Sequence, residues 1–380
     1  MRETSPLSDL IVFKFALNLG SRLESRRLEV ESLSVITMAH GAGGTAMQGL
    51  IKQYIVRYLR GSRAEVPLEA LDDSAVINDI VLKSDSHTVK PLFYPGGDIG
   101  RLAVSGTVND IAVMGAEPLA LTSGFLMEEG FPIGDFDRIV KSMRDTCNEA
   151  GVYVITGDTK VVEKGALDKI MINTSGIGLR SPVLNRNIRV VRRYRAFKAK
   201  WLVDSNLKPK DKILVSGTVG DHGVAVLSCR EGYGFESEVK SDVAPLNKLI
   251  IRLLKVGGIV KMKDPTRGGL ANTLNEWSDK SKVGILVREA KVPMREGVRA
   301  ACEMLGIDPF EIGNEGKIVI ASVPEMAEEI LEELASTPEG KNAAIIGEAT
   351  SKLEGVVLET AVGGKRILPP PLGDPVPRIC

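Results

Sequence analysis

The most constraining feature of this sequence is a run of prolines at its C-terminal end. Five of the nine residues from 369 to 377 are proline, and the chain ends three residues later at Cys380. Because proline lacks the backbone N–H and fixes φ, this segment is excluded from helices and from central strands. We predict that residues 366–380 form an extended, flexible tail with a terminal thiol.

The terminal cysteine has two interpretations. It can simply end a frayed tail, although an exposed thiol is an oxidation liability. It is not a prenylation motif, in which the cysteine stands four residues from the end. We favour the other interpretation, in which the Cys380 thiol leaves the body of the protein in order to be modified elsewhere.

We predict that the other three cysteines are ordinary buried residues. Cys147, Cys229 and Cys302 lie far apart, and the sequence contains no CxxC pair, which argues against a disulfide framework and a cysteine zinc site. This cysteine usage is typical of a reducing compartment, so we predict a cytoplasmic protein. All three fall in apolar helical patterns, where a thiol packs as a small hydrophobic group.

Charge and hydropathy argue against two classes of partner. The chain has 49 Lys and Arg and 49 Asp and Glu, so no overall field attracts nucleic acid. The longest uncharged stretch, residues 32–51, is broken by Gly, Ser, Thr, His and Gln and is not a membrane span. The apolar run 10–19 contains a lysine and follows no basic segment, so it is not a signal peptide. We expect neither a membrane nor a nucleic acid as partner.

Hydrophobic periodicity divides the chain into two regular blocks. Strand patterns alternate with helix patterns in both, which predicts a fold of the α/β and α+β classes. We assign an N-terminal extension (residues 1–32), a first domain (33–178), a connector (179–210), a second domain (211–365) and the tail (366–380).

Three elements of the first domain have clear signals. A glycine-rich turn, His40–Gly44, precedes a helix with one apolar face that Gly61 ends. The pair Asn78-Asp79 separates two short strands and predicts a hairpin. Residues 152–156 predict a buried strand, which places Gly157-Asp158 at a strand end.

The connector is strongly basic. Residues 180–200 contain eight Lys and Arg and no Asp or Glu. We favour a solvated loop or an edge hairpin, and the alternative is a docking surface for an acidic partner.

Acidic side chains at predicted strand ends and turns are the strongest chemical signal. No GxxxxGK[ST] loop occurs, and no GxGxxG follows a strand. Carboxylates set among glycines and threonines are what Mg²⁺ bound to a polyphosphate requires. Lys160, directly after Asp158-Thr159, is a natural phosphate contact. The acidic and amide residues concerned are Asp72, Asp73, Asp85, Asn109, Asp110, Glu128, Glu129, Asp158, Asp221 and Asp264.

Together these motifs resemble the HypE family of hydrogenase maturation factors, in the aminoimidazole-ribonucleotide-synthetase-like superfamily of ATP-using proteins. The resemblance runs from about residue 35 to Cys380, and the terminal Pro-Arg-Ile-Cys is its most specific part. The other motifs that carry it are His40–Gly44, Leu71–Ser74, Ser84–Ser86, Phe93–Gly100, Asn109–Ala112, Thr156–Val161, Ser216–Gly223, Asp264–Gly269 and Asn314–Lys317.

The resemblance implies a two-domain fold and an enzymatic activity. A partner carbamoyltransferase of the HypF type carbamoylates the terminal thiol, and the chain then uses ATP to dehydrate the thiocarbamate to a thiocyanate. The cyano group passes to iron in a scaffold complex of the HypC–HypD type, for the nickel–iron hydrogenase centre. The resemblance also implies a homodimer that forms through the sheets of the first domain.

The chemistry assigns roles to particular residues. Phosphorylation of the carbamoyl oxygen makes it a leaving group, and a base removes the nitrogen protons. The implied catalytic residues are Cys380, Lys160, Glu315 and Asp110, and either Glu315 or Asp110 is the base. The implied ATP-binding residues are Asp73, Asp85, Asn109, Asp158, Thr159, Asp221 and Asp264, and Asp85 and Asp110 are the expected ligands of Mg²⁺.

Two alternatives remain open. An aminoimidazole ribonucleotide synthetase or a thiamine monophosphate kinase would share the mechanism but does not need a terminal cysteine. A selenophosphate synthetase is disfavoured, because no cysteine lies near the N-terminal glycine-rich turn. The alternative from another class is a carrier without catalytic activity, in which Cys380 only transports a group between partners.

Overall fold

A computed structural model describes residues 35–230, 237–373, 375–376 and 378–380. The predicted extension, residues 1–32, lies outside the described residues. The described chain forms two domains, each built on one sheet, which confirms the predicted fold class. No helix in the described part of the chain is long and apolar enough to cross a bilayer.

The first domain contains seven strands and three main helices among its described residues. The helices are α1 (Gly44–Leu50), α2 (Ile99–Ala112) and α3 (Ile133–Ala150). The strands are β1 (Ala75–Ile77), β2 (Ile80–His87), β3 (Phe93–Tyr94), β4 (Gly97–Asp98), β5 (Ala116–Glu128), β6 (Tyr153–Val162) and β7 (Ile170–Arg180). Five of them form one sheet in the order β1-β2-β7-β5-β6, in which only β5 and β6 pair in parallel.

Local sequence signals explain several of these elements. The hairpin at Asn78-Asp79 is confirmed, and both residues have positive φ, the backbone region that Asn and Asp tolerate best. Asp98 caps α2, because its Oδ1 accepts hydrogen bonds from the N–H groups of Gly100 and Arg101. After α1 the helix continues through a π-helical stretch to Leu59, just before Gly61 as predicted.

The two faces of the first sheet differ. α2 and α3 lie on one face, and α2 is almost wholly buried between the sheet, α3 and the second domain. Side chains alternate between faces along each strand. The face toward α2 carries Lys83, Asp85 and His87 of β2. The other face has no helix on it among the described residues, and we call it the open face.

The prediction that a strand ends at Gly157-Asp158 is wrong. β6 continues to Val162, because it pairs with β5 along its whole length. Lys160 therefore lies inside a strand. The pairing of Asp158 with Gly124 and of Lys160 with Leu126 puts both side chains on the open face.

The prediction of a loop or edge hairpin in the basic connector is also wrong. Residues Pro182–Tyr194 form a helix, α4, that is capped by Ser181. Its apolar side chains Leu184, Ile188 and Val191 recur at a helical spacing and join the core, while the cations project outward. The arginines between these apolar residues made the helical spacing hard to recognise in the sequence.

The second domain is an α+β unit with a seven-stranded sheet. Its strands are β8 (Lys212–Val215), β9 (Ile259–Lys263), β10 (Gly284–Arg288), β11 (Val319–Ser322), β12 (Ala344–Thr350), β13 (Val356–Glu359) and β14 (Lys365–Ile367), in the order β14-β13-β10-β12-β8-β11-β9. Its main helices are α5 (Asp221–Ser228), α6 (Asn247–Val256), α7 (Gly269–Ser281), α8 (Glu296–Leu305) and α9 (Ala327–Ala335). One apolar core joins the domains, since Val81 and Met114 belong to the same cluster as Ile213 and Leu253.

The prediction that the three internal cysteines are buried is confirmed for two of them. Cys147 and Cys302 are buried as predicted, but Cys229 is exposed. Its position explains the difference: α5 ends at Ser228, so Cys229 follows the buried helix instead of lying within it.

Candidate active site

A pocket of about 260 Å³ lies where the two domains meet. The first domain contributes residues of α1, Leu71–Asp73, β2 and α2, and the second domain contributes residues of the turn after β9, of α7, and Glu315. The C-terminal residue Cys380 also lines it. The site is therefore assembled from segments that are distant in sequence.

Three carboxylates converge in this pocket. One oxygen each of Asp73, Asp110 and Asp264 lies within 4.8 Å of the other two. Burial and neighbouring carboxylates raise the pKa of Asp110 well above its usual range and that of Asp264 to about 7. Three clustered carboxylate oxygens fit the preference of Mg²⁺ for hard oxygen ligands, so this trio, the carboxylate cluster, can hold a divalent cation.

Asp85 stands beside the carboxylate cluster but has its own partners. Lys83 Nζ lies 3.2 Å from Asp85 Oδ1 and 2.5 Å from Asp110 Oδ2. The Thr107 hydroxyl donates to Asp85 Oδ2 at 3.0 Å. Burial by itself would raise the pKa of Asp85, but Lys83 and these hydrogen bonds bring it below its usual range. Asp85, like Asp73, therefore has a pKa below its usual range, whereas Asp110 and Asp264 have raised pKa values.

Asp73 is anchored by lysines of the second domain. Lys261 and Lys263, both in β9, place their Nζ atoms 2.7 Å from the two oxygens of Asp73. Lys261 is completely buried and also lies 3.1 Å from Asp204. Asp204 belongs to the segment that joins the domains, so one ion network fixes this carboxylate and the domain contact together.

Glu315 is a buried carboxyl group that faces the pocket. Its Oε1 has no hydrogen-bond partner among the described residues. Burial and then the nearby Asp242 raise the pKa of Glu315 well above its usual range, and Arg267 opposes that shift. Once ionised, such a carboxylate is a strong proton acceptor.

The tail is docked on the body of the protein, so the prediction of a freely solvated arm is wrong for this structure. The backbone carbonyl of Cys380 accepts from Thr88 N–H at 3.2 Å, and that of Arg378 accepts from Lys90 N–H at 3.1 Å. The side chains of Val376 and Ile379 are buried. Burial of these apolar side chains stabilises the docked tail, and the proline pattern in the sequence does not indicate it. The result is that Cys380 lies in the pocket with Asp110 and Glu315.

Of the eleven residues that the resemblance implies as catalytic or ATP-binding, the structure brings six together and leaves five elsewhere. Asp73, Asp85, Asp110, Asp264, Glu315 and Cys380 line the pocket. Outside it, Asn109 bridges the domains by bonding to Ala244 O and Leu246 N–H, and Asp221 pairs with Arg295 at the start of α5. Asp158 and Thr159 line a separate groove beside α3, and Lys160 lies on the open face.

Sequence reasoning missed three pocket residues: Lys83, His87 and Arg267. Lys83 and His87 lie two residues on either side of Asp85, so strand alternation predicts that they share its face, but it does not mark them as pocket residues. Arg267 lies in the quoted motif Asp264–Gly269, and the negative charge at Cys380 is the main cause of its raised pKa. Burial lowers the pKa of His87 to about 4, and its Nδ1 has no partner among the described residues.

Comparisons with known proteins identify the family. The model for the N-terminal domain of AIR synthase related proteins matches residues 71–180, and that for the C-terminal domain matches residues 208–358. The carbamoyl dehydratase HypE of Azotobacter vinelandii is 44% identical over 362 residues, which are 95% of this chain and 100% of that protein. This chain belongs to the HypE family.

Solved structures agree with this assignment. A HypE chain crystallised in a HypE–HypF complex has a TM-score of 0.76 and 46% identity, and the match covers 85% of this chain and 99% of that chain. A HypE crystallised in complex with ATP has a TM-score of 0.72 and 41% identity, with 91% and 100% covered. A thiamine monophosphate kinase, ThiL, at 17% identity and a TM-score of 0.61 shares the fold alone.

Proposed function

We propose that this chain is an ATP-dependent carbamoyl dehydratase that acts on its own C-terminal cysteine. An S-carbamoyl group on Cys380 becomes a thiocyanate, whose cyano group is a ligand for the iron of a nickel–iron hydrogenase. The observation that carries the proposal is that Cys380 lies in one pocket with the carboxylate cluster and Glu315. Neither a carrier without catalytic activity nor a kinase for a small molecule needs its terminal thiol at such a site.

The reaction proceeds in two balanced steps. The carbamoyl oxygen attacks the γ-phosphorus of ATP, ADP leaves, and the nitrogen loses one proton, which gives an imidophosphate on Cys380. The second nitrogen proton is then removed, the C–O bond breaks with release of inorganic phosphate, and C≡N forms. The carbamoyl oxygen leaves as an oxygen of inorganic phosphate, and the two nitrogen protons are released. ATP hydrolysis and dehydration are therefore one process.

The pocket residues divide this work. Glu315, with its raised pKa and unpartnered oxygen, is our choice for the base that takes a nitrogen proton, and Asp110 remains the alternative. Asp73, Asp110 and Asp264 would hold Mg²⁺, and Asp85 is the fourth acid close to them. The bound ion would neutralise charge on the phosphate oxygens of ATP.

Lys160 requires a second copy of the chain. Its side chain lies on the open face, on the opposite side of the sheet from Lys83 and Asp85. The open face also exposes Leu82 and Leu179, whereas the solvated face of an antiparallel sheet is normally polar, so these apolar side chains favour a covered face. We infer a homodimer through this face, in which Lys160 of one copy acts on phosphate bound to the other.

The partners follow from the same proposal. A HypF-type carbamoyltransferase loads Cys380, and the existence of a HypE–HypF complex among the relatives supports this. A HypC–HypD-type scaffold accepts the cyano group. We propose that the protein does this work in the cytoplasm, where thiols stay reduced.

The test is a mass measurement on the C-terminal peptide. The full chain is carbamoylated by its transferase and given Mg²⁺ and ATP. We expect the mass of that peptide to fall by one water. One inorganic phosphate should be released for each peptide converted. Cys380→Ala should accept no carbamoyl group. A carbamoylated chain that hydrolyses ATP without losing water, or never hydrolyses it, contradicts the proposal.

A further inference from the structure

Lys83 is the cation of the pocket whose role the proposed chemistry leaves open. It lies in the middle of β2, on the face that carries Asp85, and its ammonium group reaches the carboxylate cluster. Its Nζ is 2.5 Å from Asp110 Oδ2 and 3.2 Å from Asp85 Oδ1. No other Lys or Arg of the described chain forms an ion pair with Asp110 within 4.0 Å.

This position conflicts with a metal at the carboxylate cluster. A divalent cation held by Asp73, Asp110 and Asp264 would share the Asp110 carboxylate with the Lys83 ammonium. Positive charges about 4 Å apart repel each other strongly when water is partly excluded. The two cations therefore compete for one carboxylate.

The lysines on Asp73 differ from Lys83. Lys261 is completely buried and bonds to Asp73, Asp204 and the Leu202 carbonyl, so it cannot move without breaking the domain contact. The Lys83 side chain is 22% exposed, and both its carboxylate partners line the pocket. Because a lysine side chain is a flexible four-carbon stem, the Lys83 ammonium can turn into the pocket while β2 stays in place.

We propose that Lys83 is a resident counter-ion of the carboxylate cluster, which a divalent cation displaces from Asp110 and which then binds a phosphate oxygen of the nucleotide. The proposal rests on the proposed function, because that function supplies the metal and the nucleotide. It explains how a buried cluster of acids stays folded before Mg-ATP arrives, since an unpaired buried carboxylate is costly. The proposal also links metal binding to nucleotide binding. The metal releases the Lys83 ammonium from Asp110, and the ammonium is then free to bind the phosphate of the nucleotide.

The proposal makes opposite predictions for metal and for nucleotide. Lys83→Met removes the competitor, so Mg²⁺ alone should bind about three- to ten-fold more tightly, as expected for loss of an ion pair of about 1 kcal/mol. At saturating Mg²⁺, where the metal has already displaced Lys83 in the wild type, the variant differs only by the lost phosphate contact, so a non-hydrolysable ATP analogue should bind more weakly by a similar factor. A residue that only supports the fold would weaken both.

Calorimetric titration of the full chain measures both affinities without any turnover. Lys317→Met is the matched control, because Lys317 is also largely buried near Glu315 but pairs with Asp242 instead of the cluster. It should leave Mg²⁺ binding within about two-fold of the wild type. Lys83→Gln serves if the Met variant does not fold. Unchanged or weaker Mg²⁺ binding in the folded Lys83 variant overturns the counter-ion role, and unchanged or tighter binding of the nucleotide overturns the phosphate contact. Because no dehydration is measured, either result is separate from failure of the proposed function.

Discussion

At the scale of single residues, the pocket holds carboxyl groups in different protonation states. Lys83 and hydrogen bonds keep the pKa of Asp85 low, whereas burial raises that of Asp264 to about 7 and that of Glu315 further above its usual range. Carboxyl groups with such different pKa values can take different roles in one site, because the ionised ones bind cations while the others transfer protons. Dehydration of an amide requires both, since phosphate charge must be neutralised while nitrogen protons leave.

Replacement of Glu315 should stop the reaction after carbamoylation. Glu315→Gln preserves the shape of the side chain but removes the proton acceptor, and the loss of one such group typically costs about 10²–10³ in rate. We expect normal ATP binding and a carbamoyl group on Cys380 that does not lose water, as read from the mass of the C-terminal peptide. Glu311→Gln, in the turn before this site, is the control and should convert normally. Wild-type conversion in Glu315→Gln would exclude Glu315 as the base.

Mg-ATP binding should depend on the carboxylate cluster more than on Asp85. Asp110→Asn and Asp264→Asn each remove a charge from the cluster, and we expect affinity for a Mg-ATP analogue to fall at least about ten-fold, equal to about 1.4 kcal/mol. Asp85→Asn should cost less, because Asp85 lies outside the carboxylate cluster and is bound by Lys83 and by the Thr107 hydroxyl. The exposed Asp137→Asn on α3 is the control. If Asp85→Asn has the largest effect, the sequence-based assignment of Asp85 as a metal ligand is the better one.

The acids of this pocket could be predicted from the sequence, whereas its cations could not. Acidic residues at strand ends and turns form a recognisable pattern, which Asp73 and Asp264 follow, whereas Asp110 lies in the last turn of α2. A single lysine in a strand forms no pattern, and the role of Lys83 becomes visible only when Asp85 and Asp110 are seen on either side of its ammonium.

At the scale of secondary-structure elements, the described part of the C-terminal tail is held by polar contacts and by buried apolar side chains. The Arg378 guanidinium bonds to Asp168 at 2.7 Å and to the Thr88 carbonyl at 2.9 Å, and it is only partly buried. Ile379 binds with its side chain buried and its carbonyl 2.7 Å from His222 Nε2. A tail docked through noncovalent contacts suits a thiol that must reach a transferase and then return.

Weakening the ion pair of the tail should expose Cys380. Asp168→Ala removes the partner of Arg378, and a partly exposed pair of this kind contributes about 0.2–1 kcal/mol. We expect alkylation of Cys380 by a maleimide to become up to about five-fold faster. The measurement needs a Cys229→Ser background, because Cys229 is exposed. Asp137→Ala is the control, and an unchanged rate in Asp168→Ala would show that this pair does not hold the tail.

Elements were predictable where one signal dominated and were missed where two competed. The hairpin at Asn78-Asp79 follows directly from its turn residues. In α4 four arginines alternate with the apolar residues, so the stripe of Leu184, Ile188 and Val191 was missed. In β6, Gly157-Asp158 signals a turn, yet pairing with β5 continues the strand through it. Long-range pairing of this kind has no local signal.

At the scale of the whole molecule, a buried ion network joins the two domains. Asp204 lies within 4.0 Å of Lys261, Lys263 and Lys280, which bring its pKa far below its usual range although burial acts in the other direction. A carboxyl with a depressed folded-state pKa contributes stability that is present above its unfolded pKa of about 3.9 and is lost as the pH falls below it. Asp72, whose pKa is raised to about 6 by burial and by Asp204, acts in the opposite direction between pH 6 and 4.

Asp204→Asn should destabilise the protein and reduce its sensitivity to acid. Removal of one partner from a buried network leaves the lysines uncompensated and costs about 3–5 kcal/mol. We expect a large fall in the melting temperature at pH 7 and a smaller difference from wild type at pH 3, where the wild-type network is already weakened. Asp279→Asn, in an exposed pair with Lys282, should change stability by no more than about 0.5 kcal/mol. An equal loss at both pH values would mean that Asp204 acts without its charge.

The opposite positions of Lys160 and Glu315 allow a test of the dimer by complementation. If Lys160 acts on the other copy, a dimer of one Lys160→Ala chain and one Glu315→Gln chain has one complete site and one site that lacks both groups. In a twofold-symmetric dimer mixed at random, half the dimers are of this kind, so about a quarter of wild-type sites should be restored. The intact mass of each chain reports where the water is lost, and conversion should occur only on the Lys160→Ala chain, which retains Glu315. If Lys160 instead acts within its own chain, every site in the mixture lacks one group and no Cys380 loses water.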